Sequence, residues 1–92
     1  MNNSFYIITY DLKVPGRDYA SLYSAIKNAA EWQHPLESVW ILYTYKTADQ
    51  LFEEIHPTMD NSDLLFISEI SNDNRQGWMA KSCWEWMKSK NV

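Results

Sequence analysis

The 92-residue sequence is poor in cysteine, glycine and proline, with one Cys, two Gly and three Pro. A single cysteine, Cys83, excludes an internal disulfide and a cysteine-based zinc site. Its position on an apolar stripe instead predicts a buried small hydrophobic residue. No internal repeat or low-complexity segment interrupts the chain, and its length predicts one domain over residues 1–92.

Long hydrophobic runs and excess positive charge are also missing. No apolar run approaches the ~20 residues that a membrane helix needs, and the polar start of the chain does not resemble a signal peptide. We therefore expect a soluble, cytoplasmic protein without a membrane partner. The net charge is −4, and residues 31–70 carry one Lys against eight acidic residues. This balance argues against loose electrostatic binding to nucleic acid.

Aromatic residues are abundant, with five Trp, six Tyr and three Phe. One small core cannot easily hide so many rings, so some should lie at a partner surface. Together with Lys81 and Lys88, the tryptophans could stack on single-stranded nucleic acid. Packing in the core or in a dimer explains them better.

The first half of the chain predicts three strands and a helix. The continuous apolar run Phe5–Tyr10 indicates a strand covered on both faces, and apolar spacing indicates an amphipathic helix from Tyr19 to about Ala30. Trp32, His34 and Leu36 alternate in a short edge strand over 31–37, which Pro35 excludes from a sheet centre. Residues 38–45 follow at once as a second strong strand, which predicts a hairpin with a tight or bulged corner.

The second half predicts two helices and one strand. Thr47 and Gln50 form a capping box for a helix that ends at His56, and residues 64–70 form the last strand. Apolar and aromatic residues over 79–87 predict a closing helix. The resulting order predicts an α+β protein with a ferredoxin-like βαββαβ antiparallel sheet and an extra C-terminal helix.

This fold raises the question of what covers the second face of the sheet. Two helices cover one face only, yet apolar residues point to both faces of the first and third strands. The closing helix, a second copy of the chain, or both could supply the cover. We expect both, in a symmetric homodimer. A monomer with the helix folded across the sheet is the alternative.

Asp11 is the residue most suggestive of chemistry, because it ends the first strand next to a loop with two cations, Lys13 and Arg17. A lone carboxylate is not a complete site, however. The simpler interpretation is a structural acid that pairs with Lys13 or Arg17 or caps the loop that follows. His34 and His56 lack a catalytic partner in sequence and are expected on a strand surface and at a helix end.

Several motifs in order resemble a known family, the small ferredoxin-like proteins of the CRISPR spacer-acquisition complex, which include endoribonuclease-like members. The similarity is closer to their stand-alone SinR-like relatives, and virulence-associated ribonuclease toxins resemble the chain more distantly. The motifs span nearly the whole chain: Tyr10-Asp11-Leu12, Pro15 to Tyr19, Trp32-His34-Leu36-Ser38-Trp40, Asp63 and Trp84-Trp86.

The resemblance implies a site as well as a fold. Nuclease members of the family hold a divalent metal with the aspartate of the first strand, one from each subunit, and Asp11 matches that position. It would be the catalytic residue and the ligand of Mg²⁺ or Mn²⁺. Arg17, Lys13 and Ser38 would contact a nucleic-acid substrate, and Ser38 could instead stiffen the dimer interface. The alternative function is a catalytically silent module that binds a protein of a phage, toxin or defence system.

Overall fold

The computed structural model describes residues 2–71 and 74–90. Within them the chain forms a four-stranded antiparallel sheet and three α-helices. A 3-10 turn at His56–Thr58 follows the second helix. The elements in chain order are β1 (Ser4–Asp11), α1 (Ala20–Ala29), β2 (Glu31–Leu36), β3 (Val39–Thr44), α2 (Ala48–Ile55), β4 (Leu64–Ile70) and α3 (Lys81–Ser89).

The strand order is β2-β3-β1-β4, so the apolar strands β1 and β3 are central and β2 and β4 form the edges. Every neighbouring pair is antiparallel. This arrangement is compatible with the ferredoxin-like expectation. The central position of β1 explains its continuous apolar sequence, since a central strand is contacted from both faces.

Helices α1 and α2 pack on one face of the sheet, which we call the helix face. Tyr6, Ile8 and Tyr10 of β1 point to it and form one core with Leu22 and Ile26 of α1, among others. The predicted capping box is present at the start of α2. At the start of α1, the Asp18 carboxylate accepts a hydrogen bond from the Ala20 amide at 2.9 Å.

Helix α3 packs on the opposite, second face, to which the alternate residues of β1 point. There Phe5 and Ile41 form a separate core with Cys83 and Met87 of α3. Cys83 is 2% exposed, which confirms its predicted burial. The expectation that the closing helix covers the second face is therefore met for the part of the sheet around Phe5.

The other part of the second face stays uncovered. It consists of Thr9, Leu36, Val39, Leu64 and Phe66, which we call the open patch. Leu36, Leu64 and Phe66 are 50%, 59% and 62% exposed. The patch lies beside the carboxyl end of β1, because Thr9 is aligned with Val39 on one side and with Phe66 on the other.

The predicted alternation along β2 is wrong at its end. Trp32 is aligned with Leu42, whose side chain lies in the core of the helix face. Leu36 is aligned with Val39 of the open patch, and the register shifts between Gln33 and Leu36. A bulge of this kind moves the following residue to the other face. The sequence predicted a tight or bulged corner in this hairpin but not the position of the bulge.

Candidate functional site

Asp11 is the last residue of β1 and belongs to the same face as the open patch. Its Cα is aligned with that of Leu64, and its side chain is 61% exposed. Asp11 lines a shallow depression of about 250 Å³ together with Thr9, Leu64 and Phe66. The structure thus places the one chemically suggestive carboxylate at the border of the uncovered apolar surface.

The Asp11 carboxylate forms an ion pair with Lys13, whose Nζ lies 2.7 Å from Oδ2. This is the structural pairing that the sequence left open as the simpler interpretation. Both side chains remain in contact with solvent, with 61% and 46% of their surface exposed. Surface pairs of this type contribute little to stability, so Lys13 can be displaced by another cation at small cost.

Asp63 holds the loop that carries Lys13. Its carboxylate accepts hydrogen bonds from the Lys13 amide at 2.7 Å, the Tyr19 hydroxyl at 2.9 Å and the Asp60 amide at 2.9 Å. Burial raises the pKa of the Asp63 carboxyl, but these hydrogen bonds stabilise the charged form and bring the pKa below its usual value. Asp63 thereby ties the loop after β1 to the turn before β4.

Arg17 is directed to that turn rather than to Asp11. Its Nη1 lies 3.4 Å from Oδ1 of Asp60, and its guanidinium carbon lies 5.5 Å from the centre of the Tyr19 ring. Hydrogen bonds from the Ser62 hydroxyl and amide, with a smaller effect of Arg17, lower the pKa of Asp60. Of the two loop cations, only Lys13 pairs with Asp11.

Ser38 lies near Asp11, in the turn between β2 and β3. Its carbonyl accepts a hydrogen bond from the Tyr10 amide at 3.3 Å. Asp11, Glu37 and Ser38 line a second depression of about 290 Å³. Glu37 adds a negative charge there, which opposes the binding of a phosphate unless a cation is bound as well.

An aromatic cluster supports this end of the sheet from the helix face. Nε1 of the buried Trp40 donates a hydrogen bond to the Tyr10 hydroxyl at 3.0 Å. The His34 ring stacks on Trp40 with 3.7 Å between ring centres. Burial raises the pKa of Tyr10, so its hydroxyl stays neutral at physiological pH. The cluster fixes the strand ends on which Asp11 and Ser38 are placed.

The part of the chain that the structure describes was searched for a metal site. Residues 2–71 and 74–90 contain no group of three or more His, Cys, Asp or Glu side chains arranged to hold an ion. Asp11 contributes one exposed carboxylate, a ligand type that suits a hard divalent cation.

Comparison of the chain with protein-family models, with curated proteins and with solved structures finds no match. The family resemblance therefore stays an expectation carried by the motifs of the sequence. No helix in the described part of the chain is long and apolar enough to cross a membrane.

The role of Asp63 is the part of this site that sequence reasoning missed. The stretch Asp60 to Asp63 reads as turn chemistry, and the hydrogen bonds inside the turn agree with that. The contacts that matter for the site join Asp63 to Lys13 and Tyr19, which are 50 and 44 residues away. No local pattern in the sequence predicts hydrogen-bond partners that are so far apart in the chain.

Proposed function

We propose that this protein is a homodimeric, nuclease-like member of the SinR-like and CRISPR-associated group, with a ferredoxin-like fold. Its function would be the metal-dependent cleavage or the binding of nucleic acid, centred on Asp11. The strand order, the shared face of α1 and α2, and the motifs around Asp11 and Ser38 support this assignment. The observation that carries it is that Asp11 borders the open patch.

The open patch provides the reason for a second copy. Three of its side chains are large, apolar and at least half exposed, and contiguous apolar surface of this kind is typical of an interaction site. If two copies meet through this patch around a twofold axis, each contributes the same residues. Asp11 of one copy then lies at the same seam as Asp11 of the other.

Such a seam would bring together two Asp11 carboxylates, one from each copy. Mg²⁺ or Mn²⁺ bound there would polarise a phosphodiester and activate a water molecule. Lys13 neutralises Asp11 while no metal is bound, and after displacement its ammonium group would be free to contact a phosphate. Ser38 would donate a hydrogen bond to the substrate, and Arg17 would contact it from the adjoining loop.

A nuclease assay with matched variants tests this proposal. Purified protein is incubated with Mg²⁺ or Mn²⁺ and with single- and double-stranded DNA and RNA. Cleavage should depend on metal and should fall at least 100-fold in Asp11→Asn, as is typical when a group that stabilises the transition state is removed. Glu53→Gln, which removes an exposed acid on α2, is the control and should cleave normally. Cleavage that survives in Asp11→Asn would remove Asp11 from the mechanism.

A second function, that of a silent protein-binding module, is favoured by the Asp11–Lys13 ion pair. An acid already neutralised by its neighbour needs no metal, and the acidic stretch 31–70 suits a basic protein surface of a phage, toxin or defence system. This alternative predicts neither cleavage nor a shift in a nucleic-acid binding gel. It also predicts that Asp11→Asn leaves the dimer intact.

A further inference from the structure

Trp78 is the most exposed large hydrophobic residue among the described residues, with 98% of its surface accessible. It is also held in a defined place. A side chain at the preceding residue, Gly77, would lie 3.5 Å from the Trp84 ring, so the backbone there runs close to α3. The following residue, Met79, packs into the core beneath α3. Between these two contacts, the indole of Trp78 projects outward.

An apolar groove on the second face lies next to the segment that carries Trp78. Its volume is about 150 Å³, and it runs between the sheet and the segment that leads into α3. Residues of the open patch form one wall and the segment before α3 forms the other. The lining residues used in this argument are Ile7, Leu36, Val39, Arg75, Gln76 and Met79.

The groove contains a guanidinium group, that of Arg75, with one nitrogen that lacks a hydrogen-bond partner among the described residues. Nη1 of Arg75 is buried, and within residues 2–71 and 74–90 it has no such partner. Its guanidinium carbon lies 5.3 Å from the centre of the Phe5 ring. A guanidinium packed against one aromatic ring is well suited to a second ring, because the face of an indole carries negative charge density.

We propose that Trp78 of one copy inserts into this groove of a second copy, and that the second copy's Trp78 does the same in return. The inference rests on the homodimer proposed above and names its central contact. The exposed ring stands beside the groove, since Gln76 and Met79, which flank Trp78 in the chain, line the groove. A twofold interface requires such a self-complementary surface.

The charge and position of the groove fit this occupant. Arg75 is the one charged residue among its lining residues, and the face of a neutral aromatic ring attracts its guanidinium through a cation–π contact. The groove is continuous with the open patch through Leu36 and Val39, so insertion of Trp78 would bury both surfaces together. Trp is one of the residues enriched at the hot spots of protein interfaces, which cluster in fully desolvated pockets.

Photo-crosslinking tests the contact directly. A photoreactive phenylalanine analogue replaces Trp78, and equal amounts of ¹⁵N-labelled and unlabelled protein are mixed, equilibrated and irradiated. Crosslinked peptides that combine a labelled with an unlabelled chain prove contact between copies. We expect such mixed crosslinks from position 78 to residues 35–39 or 75–79. Crosslinks that stay within one chain, or that reach other segments of the partner, would overturn the inference.

The dissociation constant of the dimer, measured on protein without the photoreactive residue, provides the second test. Sedimentation equilibrium should show that Trp78→Ala raises the dimer dissociation constant roughly 30-fold or more, as hot-spot residues do. Phe52→Ala removes another exposed aromatic ring, 44% accessible and on α2 across the sheet, and should leave the constant within about twofold. Equal effects of both variants, or a wild-type protein that stays monomeric, would contradict the inference.

These outcomes are separate from those of the nuclease proposal. Mixed crosslinks from position 78 in a protein that cleaves nothing would support the interface and reject the chemistry. Metal-dependent, Asp11-dependent cleavage by a dimer without these crosslinks would support the chemistry and place the interface elsewhere, for example along the edge strand β4.

Discussion

The ammonium group of Lys13 lies 2.7 Å from the Asp11 carboxylate, two residues along the chain. The pair occupies the end of the central strand β1, next to exposed apolar surface, and its position is fixed by the Asp63 carboxylate through the Lys13 amide. Any cation that binds Asp11 must therefore compete with Lys13. This competition gives the site a measurable property that does not depend on knowing a substrate.

Removal of the competing ammonium should strengthen binding of a divalent cation at Asp11. We expect Lys13→Gln to lower the dissociation constant for Mn²⁺ two- to fivefold, the range that a surface ion pair of up to about 1 kcal/mol implies. Electron paramagnetic resonance of free Mn²⁺ measures the constant. Lys88→Gln removes the same charge from the exposed face of α3 and is the control. If both variants bind Mn²⁺ equally, the proposed competition at Asp11 does not exist.

The buried hydrogen bond between Trp40 and Tyr10 should be important for stability. Tyr10→Phe leaves Nε1 of Trp40 without its acceptor inside the core, which we expect to lower the free energy of unfolding by about 1–3 kcal/mol. Urea denaturation followed by circular dichroism measures the change. The same substitution at the exposed Tyr45 should alter stability by less than about 0.5 kcal/mol. Equal effects at the two positions would show that the hydrogen bond contributes nothing.

Stability should fall in acid because of Asp63. The pKa of its carboxyl is lowered in the folded protein. Above the pKa in the unfolded chain, about 4, the carboxylate is charged in the folded and in the unfolded protein, and its hydrogen bonds contribute fully to stability. As the pH falls through the folded pKa, protonation removes this contribution.

Melting temperatures measured between about pH 5 and about pH 2 test this expectation. The wild-type melting temperature should fall more steeply than that of Asp63→Asn, which is less stable at neutral pH and cannot titrate at this position. Glu53→Gln, on the exposed face of α2, should follow the wild-type curve. Parallel curves for wild type and Asp63→Asn would mean that another group causes the loss of stability in acid.

The loop that carries Lys13 and Arg17 depends on Gly16, which has a φ of +82°. Alanine disfavours this conformation, so Gly16→Ala should lower the free energy of unfolding by about 1 kcal/mol even though the space beside it is open. Gly77→Ala is the matched control, because its methyl group would only reach van der Waals contact with Trp84. Thermal denaturation distinguishes the two variants, and an equal loss of stability in both would argue against backbone strain at Gly16.

Most secondary structure was predictable because local signals agree with the tertiary structure. Residues 64–70 form the expected last strand, and Thr47 and Gln50 form the expected capping box. Strand β3 and helix α1 each begin and end within one residue of the predicted positions. Continuous apolar runs and caps are properties of neighbouring residues, and such properties can be read from sequence.

The boundaries that were wrong depend on contacts with distant residues. Helix α3 begins at Lys81 rather than at Met79, because Met79 packs against the second face as part of the preceding segment. The bulge in β2 places Leu36 in the open patch, where it is aligned with Val39. For the candidate site, the sequence indicated Asp11 and three structural roles for it: pairing with Lys13, pairing with Arg17, or capping the loop that follows. Only the tertiary structure shows that Asp11 pairs with Lys13.

The sequence by itself determined which residues are apolar and where acids and caps lie along the chain, and this was sufficient for the elements and for the position of Asp11 at a strand end. Tertiary structure decided how far α3 extends over the second face, which loop cation pairs with Asp11, and that Trp78 stands beside an apolar groove. These outcomes depend on contacts between residues far apart in the chain. Their geometry is fixed by packing, which no local pattern encodes.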